Sequence, residues 1–168
     1  MDLVKAMDLI YLLRIKGEDI DAWKVNFQTD GSTDESRAYE SVPTKDGVKK
    51  SVGEYEGTHS LTALLGKNDD LITKIKDQVR KPNPEGIEVW EVDRSDIGDS
   101  ETIPGEYSYD VVTSFSTSAG ADGNVELSIE TEIEKGPVRG EVPVTPELLE
   151  KLQDLSTELE FEQPMETV

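Results

Sequence analysis

Residues 125–134 constrain the fold more tightly than any other stretch of this chain. Val125, Leu127, Ile129 and Ile133 are apolar, while Glu126, Ser128, Glu130, Glu132 and Glu134 are not. A period of two describes a strand with one buried face and one solvated face. Glu is depleted in strands, so propensity does not account for a solvated face built of carboxylates, and the reason for them lies outside folding. Upstream, residues 107–117 alternate as well, with Tyr107, Tyr109, Val111 and Phe115 on one side and Ser108, Asp110, Ser114 and Ser116 on the other. Residues 119–124, Ala-Gly-Ala-Asp-Gly-Asn, separate the two runs with types that tolerate positive φ. The spacing predicts a β-hairpin over 107–134, the frame for the rest of the chain.

A length of 168 residues is enough for one domain with a real core. The apolar fraction is 35% and the mean hydropathy −0.53, so parts of the chain must be arms or loops rather than core. Cysteine is absent, which excludes disulfide frameworks, thiolate zinc sites and cysteine nucleophiles. Residues 3–15 are interrupted by Lys5, Asp8 and Arg14, too short and too charged for a signal peptide, and no apolar run reaches the roughly 20 residues of a membrane span. A soluble protein made inside a cell, with no membrane insertion, is expected. The formal net charge of −20 argues against sequence-reading of nucleic acid, which needs Lys and Arg on phosphates.

The charge is unevenly spread. Residues 88–134 hold thirteen acids against one base, Arg94, whereas residues 45–81 hold eight bases and six acids. A subunit with an acidic sheet and a more basic segment has complementary surfaces to offer to copies of itself. The simpler reading of any one of these residues is solvated surface charge.

In chain order, residues 1–7 read as an N-terminal arm. Residues 9–15 and 22–29 form a second hairpin, the latter alternating Trp23, Val25 and Phe27 with Lys24, Asn26 and Gln28. Residues 30–57 turn polar and carry the turn signal Lys45-Asp46-Gly47. A stretch of this length without structure is functional or disordered, and we read it as an extended hairpin arm with weak strands over 37–44 and 48–55. It carries too little apolar surface to fold unaided, so it needs a partner. Arg37, Pro43, Lys45, Asp46, Gly47, Lys49 and Lys50 are its candidate inter-subunit residues.

Residues 58–65 return to the core as a strand. Asn68 is the expected N-cap of a helix with Asp69 and Asp70 in its first turn, a stripe of Leu71, Ile72, Ile75 and Val79, and a stop at Arg80-Lys81-Pro82. A strand over 87–93 and a loop over 94–105 lead into the 107–134 hairpin. Lys135-Gly136-Pro137 reads as a turn before a short strand over 138–144, and Thr145 with Pro146 opens a C-terminal helix and tail over 145–168. The total is mainly β: an antiparallel sandwich or open barrel with a flanking helix and an extended hairpin arm.

No catalytic constellation emerges. His59 is the one histidine and has no partner in its sequence neighbourhood, so a structural role is favoured. Asp30-Gly-Ser-Thr-Asp34 imitates the start of a calcium loop, but Glu35 stands where Gly is needed and Ser41 where Glu is needed, and we read it as a turn. Gly120-Ala-Asp-Gly123 joins two strands, not a strand and a helix, so it is no nucleotide fingerprint. The chain is read as a non-enzyme with no cofactor and no metal. A sugar- or receptor-binding sandwich with Trp23 or Trp90 as platform, and an acidic mimic of DNA, are the alternatives.

The chain resembles the major tail proteins of long-tailed bacteriophages of Gram-positive hosts. The resemblance is carried by residues 9–15 (Leu-Ile-Tyr-Leu-Leu-Arg-Ile), by 23–32 with the Glu-Ser-Arg that follows, by Thr-Lys-Asp-Gly at 44–47, Ser-Leu-Thr-Ala-Leu-Leu at 60–65 and Val-Trp-Glu-Val-Asp at 89–93, and above all by 112–128. It spans most of the chain to about 144. It implies a β-sandwich with a flanking helix, similar to type VI secretion tube proteins, assembled as hexameric rings that stack into a tube conducting the genome. Assembly in the host cytoplasm and a final place in the virion tail follow, with tape measure, tail terminator and distal tail or baseplate proteins as partners. It further implies an electronegative lumen, for which Glu126, Glu130, Glu132 and Glu134 are the candidates.

Overall fold

The structure is a computed structural model and describes residues 3–19, 22–24, 28–67, 69–95, 101–121 and 123–146. A 3-10 turn, Ala6–Asp8, precedes β1 (Leu9–Ile15), β2 (Trp23–Lys24), β3 (Gln28–Thr44), β4 (Gly47–Leu64), helix α1 (Asp70–Arg80), β5 (Ile87–Asp93), β6 (Thr102–Ser118) and β7 (Glu126–Pro143). All seven strands belong to one antiparallel sheet in the order β2-β1-β5-β6-β7-β4-β3.

Two long hairpins, β3–β4 and β6–β7, lie side by side and share a seam in which Thr58 to Leu64 of β4 pair with Glu132 to Glu126 of β7. Beyond Thr58–Glu132 they part. One continues as the free end of β3–β4; the other takes on β5 at Gly105–Asp110 of β6, and then β1 and β2. The sheet also rolls on itself. The Gln28 side-chain amide donates to the Tyr11 carbonyl at 3.2 Å, and the Tyr11 hydroxyl lies 2.9 Å from Thr33 Oγ1, although β1 and β3 form no ladder. This is the open barrel among the expected architectures.

The rolled interior holds the main core: Tyr11, Leu13 and Ile15 of β1, Ile87 and Val89 of β5, Val112 of β6, Leu61 and Ala63 of β4, and Leu127 and Ile129 of β7, closed by Ile72 and Ile75 of α1. A smaller cluster on the other face of β1 and β5 joins Ile10, Leu12 and Val92 to Ile103. The alternation in β7 is realised as expected, with Leu127, Ile129, Thr131 and Ile133 buried and Glu126, Glu130, Glu132 and Glu134 exposed.

Several expectations change. In β6 the alternation is present, yet the buried side carries Ser108, Asp110 and Val112, and the aromatic side is only half-buried. A bulge between Val112 and Ser114 then brings Phe115 round to the core. The expected turn at 135–137 is a bulge inside β7, where Gly136 (φ 101) has no room for a side chain because a Cβ would sit 2.9 Å from the Tyr107 carbonyl oxygen. The strand therefore runs through to Pro143. Residues 30–34 lie within β3 rather than in a turn, and 58–64 belongs to the same strand as the ascending side of the arm. The hairpin expected over 22–29 pairs with β1 through Trp23 and Lys24; residues 25–27 lie outside the described residues.

Helix α1 starts one residue later than expected, with Asp69 as N-cap accepting from the Ile72 amide at 3.4 Å. Its buried stripe ends on Gln78 in place of Val79, which is 42% exposed. Gln78 earns that position by accepting from the Gly86 amide at 3.0 Å and donating to Glu85 at 2.8 Å, tying the helix to the start of β5. The same bond, followed by a backbone hydrogen bond and then one from Lys81, holds the exposed Glu85 carboxyl down at about 2. The C-terminal helix and tail fall almost wholly on 147–168, outside the described residues.

Candidate functional site: an acidic sheet face and a projecting arm

The outward face of β6-β7-β4-β3 is read from the registers. Opposite Glu130 stand Ser60 of β4 and Ser114 of β6, and Ser60 in turn faces Ser32 of β3. One row along, Glu132 faces Thr58 and Val111, with Asp34 beyond Thr58. In the other direction Ser128 faces Thr62 and Ser116, with Asp30 beyond Thr62. Glu126, opposite Ser118 and Leu64, and Glu134 extend the face at its two ends. Serine, threonine, aspartate and glutamate thus make almost the whole wall, and these outward positions include no lysine or arginine. Among the described residues no ion pair neutralises Glu126, Glu130, Glu132 or Glu134.

Carboxylates two residues apart on a strand stand about 7 Å apart, and each such pair repels by roughly 0.6 kcal/mol in water. The fold tolerates this because the opposite face of the same strands is sealed in the core. The four glutamates named from the sequence share this face. Asp30 and Asp34 were missed, and their signal was the alternation Asp30, Ser32, Asp34, Ser36, hidden by the resemblance of that segment to a loop.

Two strand edges flank the wall. Among the described residues, β3 has β4 on one side and no strand on the other, and β6 beyond Asp110 has β7 on one side and no strand on the other. Unpaired edges are templates for another chain.

The arm is the part of β3–β4 that leaves the body, residues 37–55, shorter than the 30–57 expected because 30–36 and 56–62 pair inside the sheet. Its ladder runs from Tyr39–Val52 to Thr44–Gly47 around the turn at Lys45-Asp46, and the Thr44 hydroxyl donates to the Gly47 carbonyl at 2.6 Å. Arg37 stands at its base opposite Tyr55, whose hydroxyl donates to Glu35 at 2.8 Å; partial burial and this bond push the phenol up to about 12. Pro43, Lys49 and Lys50 lie near the tip. Almost every arm residue is exposed, including Tyr39 and Val52, each at 60%.

The interior polar groups are accounted for structurally. His59 Nδ1 lies 2.6 Å from Asp110 Oδ2, and Asp110 also accepts from the Ser108 and Thr131 hydroxyls at 2.7 and 2.5 Å. Trp90 is stacked on Tyr107 with centroids 4.8 Å apart and covered by the Arg14 guanidinium at 5.0 Å, which leaves no open sugar platform there. Arg14 grips Glu88 in a fork at 2.5 and 3.0 Å. Burial pushes the Glu88 carboxyl up, but the bonds from Arg14 and Tyr107 outweigh it and hold it below its ordinary range. Among the described residues no group of His, Asp and Glu has the arrangement of a metal site, and no helix is long and apolar enough to cross a membrane.

A profile of the phage tail tube protein family matches residues 4–139. The chain belongs to the phage tail tube protein family. The match takes in every strand up to the second half of β7, and the family is a structural one of the phage virion rather than a family of enzymes. The tail tube protein is similar in fold to the SPP1 tail tube, at 18% identity over 99% of this chain and 95% of that one, with a TM-score of 0.72. It is also similar to the tail of a gene transfer agent particle described with C6 symmetry (11% identity, 81% and 98% of the chains, TM-score 0.60). A third likeness is to a chain of the sheath-tube complex of an extracellular contractile injection system (13%, 80% and 88%, TM-score 0.56). No curated protein matches this tail tube protein by sequence.

Proposed function

We propose that the chain polymerises as stacked hexameric rings into the phage tail tube, with the β6-β7-β4-β3 wall turned inward as the lining of a bore that conducts DNA. The observation that carries this reading is the wall itself: a solvent-exposed sheet face with acids, hydroxyls and no bases, bounded on both sides by strand edges that have no partner among the described residues. Head-to-tail pairing of the β3 edge of one copy with the free part of β6 in the next is a heterologous contact, and such a contact closes into a ring when the rotation allows. The C6 symmetry reported for the similar gene transfer agent tail supports six copies. An acidic, hydroxyl-rich bore repels phosphates, whereas lysines there would hold DNA through counterion release.

The arm reaches a neighbouring subunit, and tape measure, terminator and distal tail or baseplate proteins meet the ends of the tube. Assembly takes place in the host cytoplasm, and the product is part of the virion. Negative-stain microscopy of concentrated protein tests the reading. Six-fold rings or tubes are expected, and a species that stays monomeric at every concentration and salt would refute it.

A further inference from the structure

Past the Thr58–Glu132 pair, β4 and β7 separate, and none of the described residues covers the core-side face at the far end of the sheet. There a groove of about 500 Å³ is lined by Leu9, Pro104, Gly105 and Gly140 with Glu91, Asp93, Glu106, Glu141 and Arg139. Four carboxylates face a single guanidinium, and that guanidinium is already engaged by Glu106 at 3.2 Å. The groove is therefore partly apolar and negative.

The arm is the counterpart in shape and sign. Tyr39 pairs with Val52, Ser41 with Lys50 and Pro43 with Val48. One face therefore presents Tyr39, Val52, Val48 and Pro43, with the Lys50 ammonium over the Tyr39 ring at 5.7 Å. Val48 is 65% exposed. In a chain with a net charge of −20, residues 43–50 carry three lysines and one aspartate. An exposed apolar stripe set among lysines marks a docking surface. It does not serve its own groove, because the ladder from Tyr39–Val52 to Thr44–Gly47 is continuous and holds the tip outward.

We propose that the arm tip of one subunit seats in the groove of a second copy, Val48 and Pro43 against Leu9 and Pro104, with Lys50, on the same face, meeting Glu106 and Glu141. This rests on the tube reading and adds the receptor to it. The groove takes the side chains of the tip; the rest of the arm bridges the gap, and ten extended residues span about 33 Å.

Cysteine pairing tests it in a chain that has no cysteine of its own. Full-length subunits carrying Val48→Cys are mixed with a size-tagged form carrying Pro104→Cys, assembled and mildly oxidised, with Ser116→Cys on the wall as the control partner. The expected result is a mixed disulfide with Pro104→Cys and none with Ser116→Cys. Lys50→Glu should cut pelletable polymer at least ~10-fold while circular dichroism of the monomer stays unchanged, and Glu106→Lys with Glu141→Lys in the same chain should restore it. Tubes that form without the Val48–Pro104 disulfide, or charge-reversed arms that assemble normally, would overturn the groove assignment and leave the tube reading intact. Wild-type protein that forms no rings or tubes would overturn both.

Discussion

His59 Nδ1 and Asp110 Oδ2 lie 2.6 Å apart at the centre of the rolled sheet, joining β4 to β6 across β7. Asp110 is 1% exposed and also holds Ser108 and Thr131, so its loss strands three buried donors. Asp110→Ala should cost about 3–5 kcal/mol, read as a fall in the urea midpoint. His59→Phe, which removes a polar partner and keeps the ring against Tyr11, should cost less, as the two aromatic rings already meet edge-on at 5.7 Å. Equal losses from the two would show that the network is not centred on Asp110.

Gly31 faces the core where β3 approaches β1, and a Cβ there would lie 2.6 Å from Tyr11 Cε2. The ring is pinned by Thr33 through its hydroxyl, so it cannot swing away freely. Gly31→Ala should destabilise by about 1–3 kcal/mol through overpacking, and Tyr11→Leu in the same chain should recover part of that loss in thermal melts.

Two flanks of the pH–stability curve have named causes. Burial pushes the Tyr11 phenol up from 10.0 to about 12, and Tyr55 is raised to about 12 by burial and its bond to Glu35. Groups raised on folding keep their full contribution below pH 10 and lose it as the pH climbs toward 12. Glu88 works in the opposite sense: held low by Arg14 and Tyr107 against its burial, it stabilises above the ordinary carboxylate range and ceases to do so as acid protonates it. Melting temperature measured against pH should flatten on the alkaline side in Tyr55→Phe and on the acid side in Glu88→Gln. Parental slopes in both variants would exclude these assignments.

For the wall, Glu126→Lys with Glu130→Lys should make the bore retain DNA. Each lysine that neutralises a phosphate steepens the dependence of log affinity on log salt by about 0.9, so ejection should slow most at low ionic strength and recover in high salt. Ejection at the parental rate in dilute buffer would count against these carboxylates lining the bore.

Removing residues 43–52 should leave the monomer folded, since none of these side chains is in either core cluster, and should abolish polymerisation as seen by sedimentation. Tubes of normal length from the shortened chain would show that the arm is dispensable.

The parts of the fold legible in the sequence are those where apolarity and burial coincide. β7 is such a case, and so is α1 up to its last turn. Legibility fails where a polar residue is buried by satisfaction rather than by apolarity. Gln78 displaces Val79 because the Gly86 amide needs an acceptor, and Ser108 and Asp110 displace Tyr107 and Tyr109 because His59 and Thr131 need theirs. It fails again where Gly and Pro serve a bulge instead of a turn, as at Gly136 and Pro137, because both uses draw on the same backbone freedom. Of the wall, the β7 row could be seen from one strand alone. The Asp30 and Asp34 row required the register of β3 on β4, and the groove required knowing where β4 and β7 part.

β7 passes without a break from Glu126 on the wall, through the bulge at Gly136, to Glu141 at the groove. A single covalent strut therefore connects the two surfaces. In the proposed tube, a tug delivered at the groove end would be transmitted lengthwise along a paired backbone to the carboxylate rows, making the geometry of the passage and the tension between neighbouring copies mechanically one variable.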